Sequence, residues 1–341
     1  MAAPFQRTMI QTRRSFLLTC GLAGLVPLVP HAAAAQDVPL QIGSAGVSFN
    51  RSDPTSNKVG RLIWRGGIVF SAAAPEFGGW SDLHVSDDGR TLAAVSEEGS
   101  WFTAAIEYDA QGNLAGLKDG RIGPLRGLNG KVVVGRAWTT AEGMAQLKDG
   151  AWLVAFTRNH RIWRYSALGG TPVVVDGPPE MSRQPATAGV KALTAMPDGA
   201  LIALSEEYSR RPGTVVGWIG RPADGGARYT WQTFDYAVIP DYRPSSLAAL
   251  PDGSLATLER VIDVKRGARS RVLHVAADKL KPGATIAGDE LGVLASPNPV
   301  DNFEGLSATR GARGETLLWI NSNDNFNPLQ RNLLLLFELA A

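Results

Sequence analysis

Apolar residues in this chain fall into short runs, and the runs recur in threes. The first run of each triplet leads into a turn that is Asp-Gly in four of five copies. The copies are Ser81 to Gly89, Glu142 to Gly150, Lys191 to Gly199, Ser245 to Gly253 and Glu304 to Gly314. A Leu or Met (Leu83, Met144, Leu193, Leu247) stands six residues before the Gly in the first four, and Leu306 stands eight before it in the fifth. A second run follows each turn: Leu92 to Val95, Trp152 to Phe156, Leu201 to Leu204, Leu255 to Leu258 and Leu317 to Ile320. The third runs are Phe102 to Tyr108, Ile162 to Tyr165, Thr214 to Ile219, Val272 to Val275 and Leu333 to Leu339. Asp-Gly between apolar runs is a strong hairpin signal, because the turn needs a residue tolerant of positive φ. Each copy therefore predicts strand, hairpin, strand, loop, strand.

A sheet of this size cannot cover both of its faces alone. A radial array covers them, because each sheet packs on its neighbours. The predicted fold is all-β, a β-propeller, with Trp101, Trp152, Trp163, Trp218 and Trp319 packed between blades. The run Arg61 to Phe70 precedes the first copy and is predicted to complete the last blade, closing the ring so that no sheet edge stays open. Six blades are expected, with five or seven left open, and a degenerate blade is sought in 109–137 or 276–300.

Composition narrows the class. Of 341 residues, 44% are hydrophobic and 19% charged, which excludes a disordered chain. Residues 1–35 carry Arg7, Arg13 and Arg14 and no acid, then an apolar stretch from Phe16 to Pro30, then Ala32 to Ala35. This order of charged start, short apolar middle and small residues is that of an export signal. The stretch Thr12 to Leu18, with its Arg13-Arg14 pair, resembles a twin-arginine signal and implies a periplasmic or secreted protein. The domain boundaries expected are 1–35 for the signal and 36–341 for one propeller. Cys20, the only cysteine, leaves with the signal, so the mature chain has no disulfide and no thiolate chemistry. It keeps 31 basic against 32 acidic residues, a balance that offers no footprint for nucleic acid. No later apolar run is long enough to span a bilayer, so stable membrane insertion after cleavage is not expected, and a monomer is.

Three segments carry a family likeness. They are Phe77 to Leu83; Ala141 to Met144 with Arg158 to Tyr165; and Asp301 to Leu306 with Ser322 to Asn327 and Gln330 to Leu334. Together they resemble the bacterial phytase-like family, described as "esterase-like activity of phytase", over nearly the whole mature chain. The resemblance implies a propeller that hydrolyses esters or phosphoesters. The sequence departs from the family pattern at Thr140, where Asp is usual, and at Thr157-Arg158, where Glu is common.

The residues themselves exclude several chemistries. There is no Gly-x-Ser-x-Gly elbow, no His-x-x-x-His zinc pattern and no phosphate-binding Gly loop. Of the mature histidines, His84 and His274 sit in predicted strands, and His160 lies in a loop among Arg158, Arg161 and Arg164. Carboxylates are the better material. The repeat column two residues before the Leu or Met reads Ser81, Glu142, Lys191, Ser245, Glu304 and is predicted to surround the channel entrance, with Asp82 beside it. Glu142, Glu304 and Asp82 are the candidate catalytic residues; Lys191, Arg158, His160 and Arg260 are the candidate substrate-binding residues. After the middle strands come Glu97, Glu206, Glu259 and Asp324, candidate ligands for Ca²⁺, which takes six to eight oxygens at about 2.3–2.6 Å. Such an ion would clamp a phosphate and polarise it toward water. The expected function is an exported ester or phosphoester hydrolase acting on a small molecule at the channel mouth. The alternatives are a non-catalytic ligand- or protein-binding propeller of the cell envelope, and a sugar-lactone hydrolase.

Overall fold

The structure is a computed structural model and describes residues 37–223, 228–263 and 267–340. The export signal expected over 1–35, with Cys20, lies outside the described residues. Five sheets stand around one axis, antiparallel but for the short pairing of Arg228–Ala237 with Thr285–Ile286. Their innermost strands are Trp80–Val85, Ala141–Gln146, Val190–Ala195, Arg243–Ala249 and Phe303–Arg310. Each inner strand packs on the next, and the fifth packs on the first, so the ring is closed.

The hairpins form where the turns predicted them. Gly89, Gly150, Gly199, Gly253 and Gly314 all have φ between 69° and 88°. The turn aspartates are structural. Each of Asp88, Asp149, Asp198 and Asp252 accepts a hydrogen bond from the amide two residues on, at 2.9–3.1 Å.

The blade number is five, where six was expected and five left open. The segments suspected of hiding another blade supply outer strands instead. Leu114–Pro124 is the fourth strand of blade 1, and Asp289–Leu294 the fourth of blade 4. Val173–Val175 and Arg228–Ala237 play that part in blades 2 and 3. In blade 5 the part falls to the N-terminal strand Leu62–Ala72, which pairs with Leu333–Leu339 in the register Leu333 to Val69 through Leu339 to Leu62. The predicted ring closure is thus present.

Between every two blades lies one apolar cluster. The Leu/Met column of the repeat sends one residue to each: Leu83 between blades 1 and 5, Met144 between 1 and 2, Leu193 between 2 and 3, Leu247 between 3 and 4, Leu306 between 4 and 5. Trp218 and Trp319 are fully buried there, Trp101 and Trp163 nearly so, and Trp152 is half-buried at the edge. Burying side chains of this size contributes about 1.5–3 kcal/mol each relative to exposure, which is what holds separate sheets in a ring.

Candidate functional site

Every inner strand breaks register at its start, and always at the same repeat position. Trp80 and Asp82 pair with Ser96 and Val95, leaving Ser81 unpaired. Glu142, Lys191, Ser245 and Glu304 are passed over in the same way. The column read from the sequence is therefore a ring of five β-bulges. A bulge re-aims the side chain of the extra residue, and here all five residues are buried.

Three of them form an ionic chain across the axis. Lys191 Nζ lies 3.0 Å from Glu142 Oε2 and 3.0 Å from Glu304 Oε1. An Arg260 guanidinium nitrogen lies 2.9 Å from the same Glu304 oxygen and 3.4 Å from Glu206 Oε1. Asn302 and Asn323 donate to the two oxygens of Glu304 at 3.1 and 2.8 Å. The Thr157 hydroxyl donates to Glu142 at 3.3 Å. Blades 2, 3, 4 and 5 are joined through these groups. Burial without such partners would be costly for each charge, and the alternation of signs offsets it.

The charges sort the carboxyls. Burial pushes Glu304 up, but Lys191, Arg260 and the Asn323 amide outweigh it and hold its pKa at about 2. Glu142 has only one close cation, so burial and the charges of Glu304 and Glu206 raise it. Burial opposes the charges on Lys191 and Arg260 too, and the surrounding glutamates overcome it, keeping both cationic. Glu97 comes from blade 1 and stands at the edge of this chain, its side chain 15% exposed. Burial, then the negative charges of Glu304 and Glu142, push its pKa to about 7, against the pull of Lys191 and Arg136. It is the group here whose proton is exchangeable near neutrality.

Other sequence candidates lie elsewhere. Asp82 does not join the ionic chain. It accepts hydrogen bonds from the Leu83 and Met144 amides at 3.0 and 2.8 Å and from the Ser246 hydroxyl at 2.9 Å, while Ser246 accepts from the Leu306 amide at 3.0 Å. This hub ties blades 1, 2, 4 and 5 together at the axis, and burial raises the Asp82 pKa well above its usual value. Glu259 is fully buried, with Arg271 at 2.6 Å and the Tyr236 hydroxyl donating to it at 2.8 Å. Asp324 accepts from the Gly79 amide at 2.7 Å and from the Asn332 amide at 2.9 Å, pinning the closing loop. Arg158 is exposed, with φ 63°. Burial lowers the His160 pKa; its Nε2 lies 3.3 Å from the Gln184 carbonyl, and its Nδ1 has no partner among the described residues. Arg161 is turned away onto the Phe156 and Trp163 rings, 3.9 and 4.1 Å from their centroids.

The proposed calcium ligands thus do not converge. Among the described residues no three acidic or histidine side chains group so as to hold a metal ion. Where carboxylates do approach one another, Lys191 and Arg260 already stand between them, and this donor set does not fit Ca²⁺. The sequence reading missed Arg136 and Asn302. Arg136, on the helix Arg136–Thr139, sits 3.5 Å from Glu97, and no local pattern marks it. Asn302 stands inside the motif Asp301 to Leu306 and was legible as part of it. A cavity of about 1310 Å³ opens at the other end of the channel, among the hairpins, and shares no residue with the ionic chain. Chemistry, not cavity size, singles out the bulge end.

The model of the family described as Phytase-like, esterase-like activity of phytase, matches residues 75–326. No curated protein matches the chain. Among solved structures, an endo-arabinase from Bacteroides thetaiotaomicron aligns over 78% of this chain and 95% of its own, at 8% identity and TM-score 0.48. A luciferin-regenerating enzyme aligns over 78% and 95%, at 11% identity and TM-score 0.39. The β-propeller domain of Myceliophteria thermophila Cps50 (Swd1) aligns over 87% and 99%, at 11% identity and TM-score 0.35.

Proposed function

Because the chain belongs to this phytase-like family, we propose that it is an exported hydrolase of ester or phosphoester bonds, acting at the bulge end of the channel. Glu97 carries the reading: a carboxyl with a pKa of about 7 in the field of two buried cations, Lys191 and Arg260. Ionised, Glu97 takes a proton from water as the water attacks the ester carbon or phosphorus; the bond to the bridging oxygen breaks, and that oxygen leaves as an alcohol with the proton that Glu97 returns. Arg260 supplies fixed positive charge where negative charge develops, and Lys191 and Glu142 hold that charge in place. Arg158 and His160 belong to the loop that follows the second strand of blade 2 and are assigned to substrate approach. No step passes through Ca²⁺. Export to the periplasm rests on residues 1–35.

The test is turnover of nitrophenyl esters, nitrophenyl phosphate and phytate by the purified mature protein, with Ca²⁺ and with EDTA. Turnover of at least one, insensitive to EDTA and lost in Glu97→Gln, supports the reading; silence on all three overturns it. One observation favours a binding propeller instead: each carboxylate of the ionic chain already has a cation. That alternative expects ligand capture without turnover. Activity on lactones alone would point to a sugar-lactone hydrolase.

A further inference from the structure

The large cavity lies at the hairpin end of the channel, and the Asp82 hub stands between it and Glu97. We propose that this cavity is a second ligand site, for a small organic monoanion with an apolar body. Its volume is about 1310 Å³, and all five inner strands contribute to its wall. Four positions beyond the bulge, blades 2 to 5 place Gln146, Ala195, Ala249 and Ala308, each half-buried and each lining the space. Three of these four are alanines, whose small side chains leave room that larger ones would fill. In blade 1 the wall is His84, edge-on to Trp152 with ring centroids 5.4 Å apart. Burial lowers the His84 pKa, so it presents an uncharged ring. The wall between blades 2 and 3 carries an apolar stretch, Val173 to Val175, with Val174 59% exposed.

Charge at the rim selects the ligand. Asp149 is paired with Arg164 at 2.5 Å, and Asp198 with Arg221 at 3.0 Å. That leaves Lys148 and Arg310, both exposed and without an ion pair among the described residues, against Asp87. With Arg221, which stands outside the wall, neutralising Asp198, one positive charge is in excess beside the apolar stretches of the wall, the complement of a carboxylate or sulfonate on a hydrocarbon or aromatic body. The site is separate from the proposed hydrolysis and does not depend on it.

Calorimetric titration of the purified mature protein with 2-naphthoate and its uncharged counterpart 2-naphthamide tests the proposal. The expected result is one naphthoate per chain, bound about threefold to tenfold more tightly than naphthamide. Ala249→Trp abolishes binding of both, Arg310→Glu removes the preference for the anion, and Glu97→Gln changes nothing. Should Ala249→Trp fail to fold, Arg310→Glu at the exposed rim still decides. Absence of binding, equal binding of the two probes, a preference that survives Arg310→Glu, or weakening by Glu97→Gln would each overturn it.

Discussion

Glu97 has the reactivity its neighbours impose. Its own burial, then Glu304, Glu142 and Lys191 from three other blades and Arg136 from the helix before blade 2, set its proton affinity. If it acts as base, kcat/KM for a nitrophenyl ester rises with pH through about 7, and Glu97→Gln lowers it about 100-fold or more, as a steady-state pH profile will show. The same shift affects stability in a definite direction. A carboxyl raised from 4.5 to about 7 binds its proton more tightly folded than unfolded, so its contribution falls as pH rises from 4.5 to 7. Glu304 works oppositely. Held at about 2, it stabilises the fold above pH 4.5, and that stability is lost as pH falls from 4.5 toward 2. Urea unfolding across pH 2–7 should show a shallower acid loss in Glu304→Gln and a smaller decline toward neutrality in Glu97→Gln. Removing the shared cation is a harsher change. Lys191→Met leaves two buried carboxylates facing each other and costs about 3–5 kcal/mol, and adding Glu142→Gln recovers part of it.

The inner strand is the element that repeats, and its two ends do different work. At the start, one extra residue in each strand turns a side chain inward to the axis. At the far end, the Asp-Gly turn holds the next strand against it. Gly199 and Gly253 have φ of 88° and 84°, with open space where a Cβ would stand. Substituting Ala at either therefore costs backbone strain alone, about 1–2 kcal/mol. Gly46, equally open but without positive φ, should accept Ala with no loss. Thermal unfolding of the three variants separates turn strain from packing. A different weakness follows from the Leu/Met column: Leu306→Ala empties a fully packed seam between blades 4 and 5 and costs about 2–5 kcal/mol.

At the scale of the whole molecule, the ring depends on one strand borrowed from the beginning of the described chain. Leu62–Ala72 covers the edge of Leu333–Leu339, a strand of five consecutive fully buried apolar residues from Leu333 to Phe337. A chain begun at residue 74 leaves that edge bare. It is expected to lose cooperative unfolding and to associate through the open strand, measurable as broadened melting and larger species in size-exclusion chromatography. The repeat and the hairpins were legible in the residues, because turns and alternating burial are imposed by neighbours a few positions away, whereas the bulges at the column from Ser81 to Glu304 came from the strand pairing alone. Closure by Arg61 to Phe70 was legible too, since its apolar run had no other sheet to join. The fourth strands were not: Leu114–Pro124 and Asp289–Leu294 lie in the outer part of their blades, where exposed and buried positions mix and the apolar pattern fades. The blade count, which depends on them, stayed open for that reason. The pairing of charges was equally hidden. Glu304 meets Lys191 and Arg260 only because the ring folds three remote bulge and strand-end positions onto one axis. Local chemistry writes the strands, the turns and which residues are charged. Long-range closure chooses which of those charges meet, and with that it separates Glu97, free to exchange a proton near neutrality, from Asp82, buried in the frame.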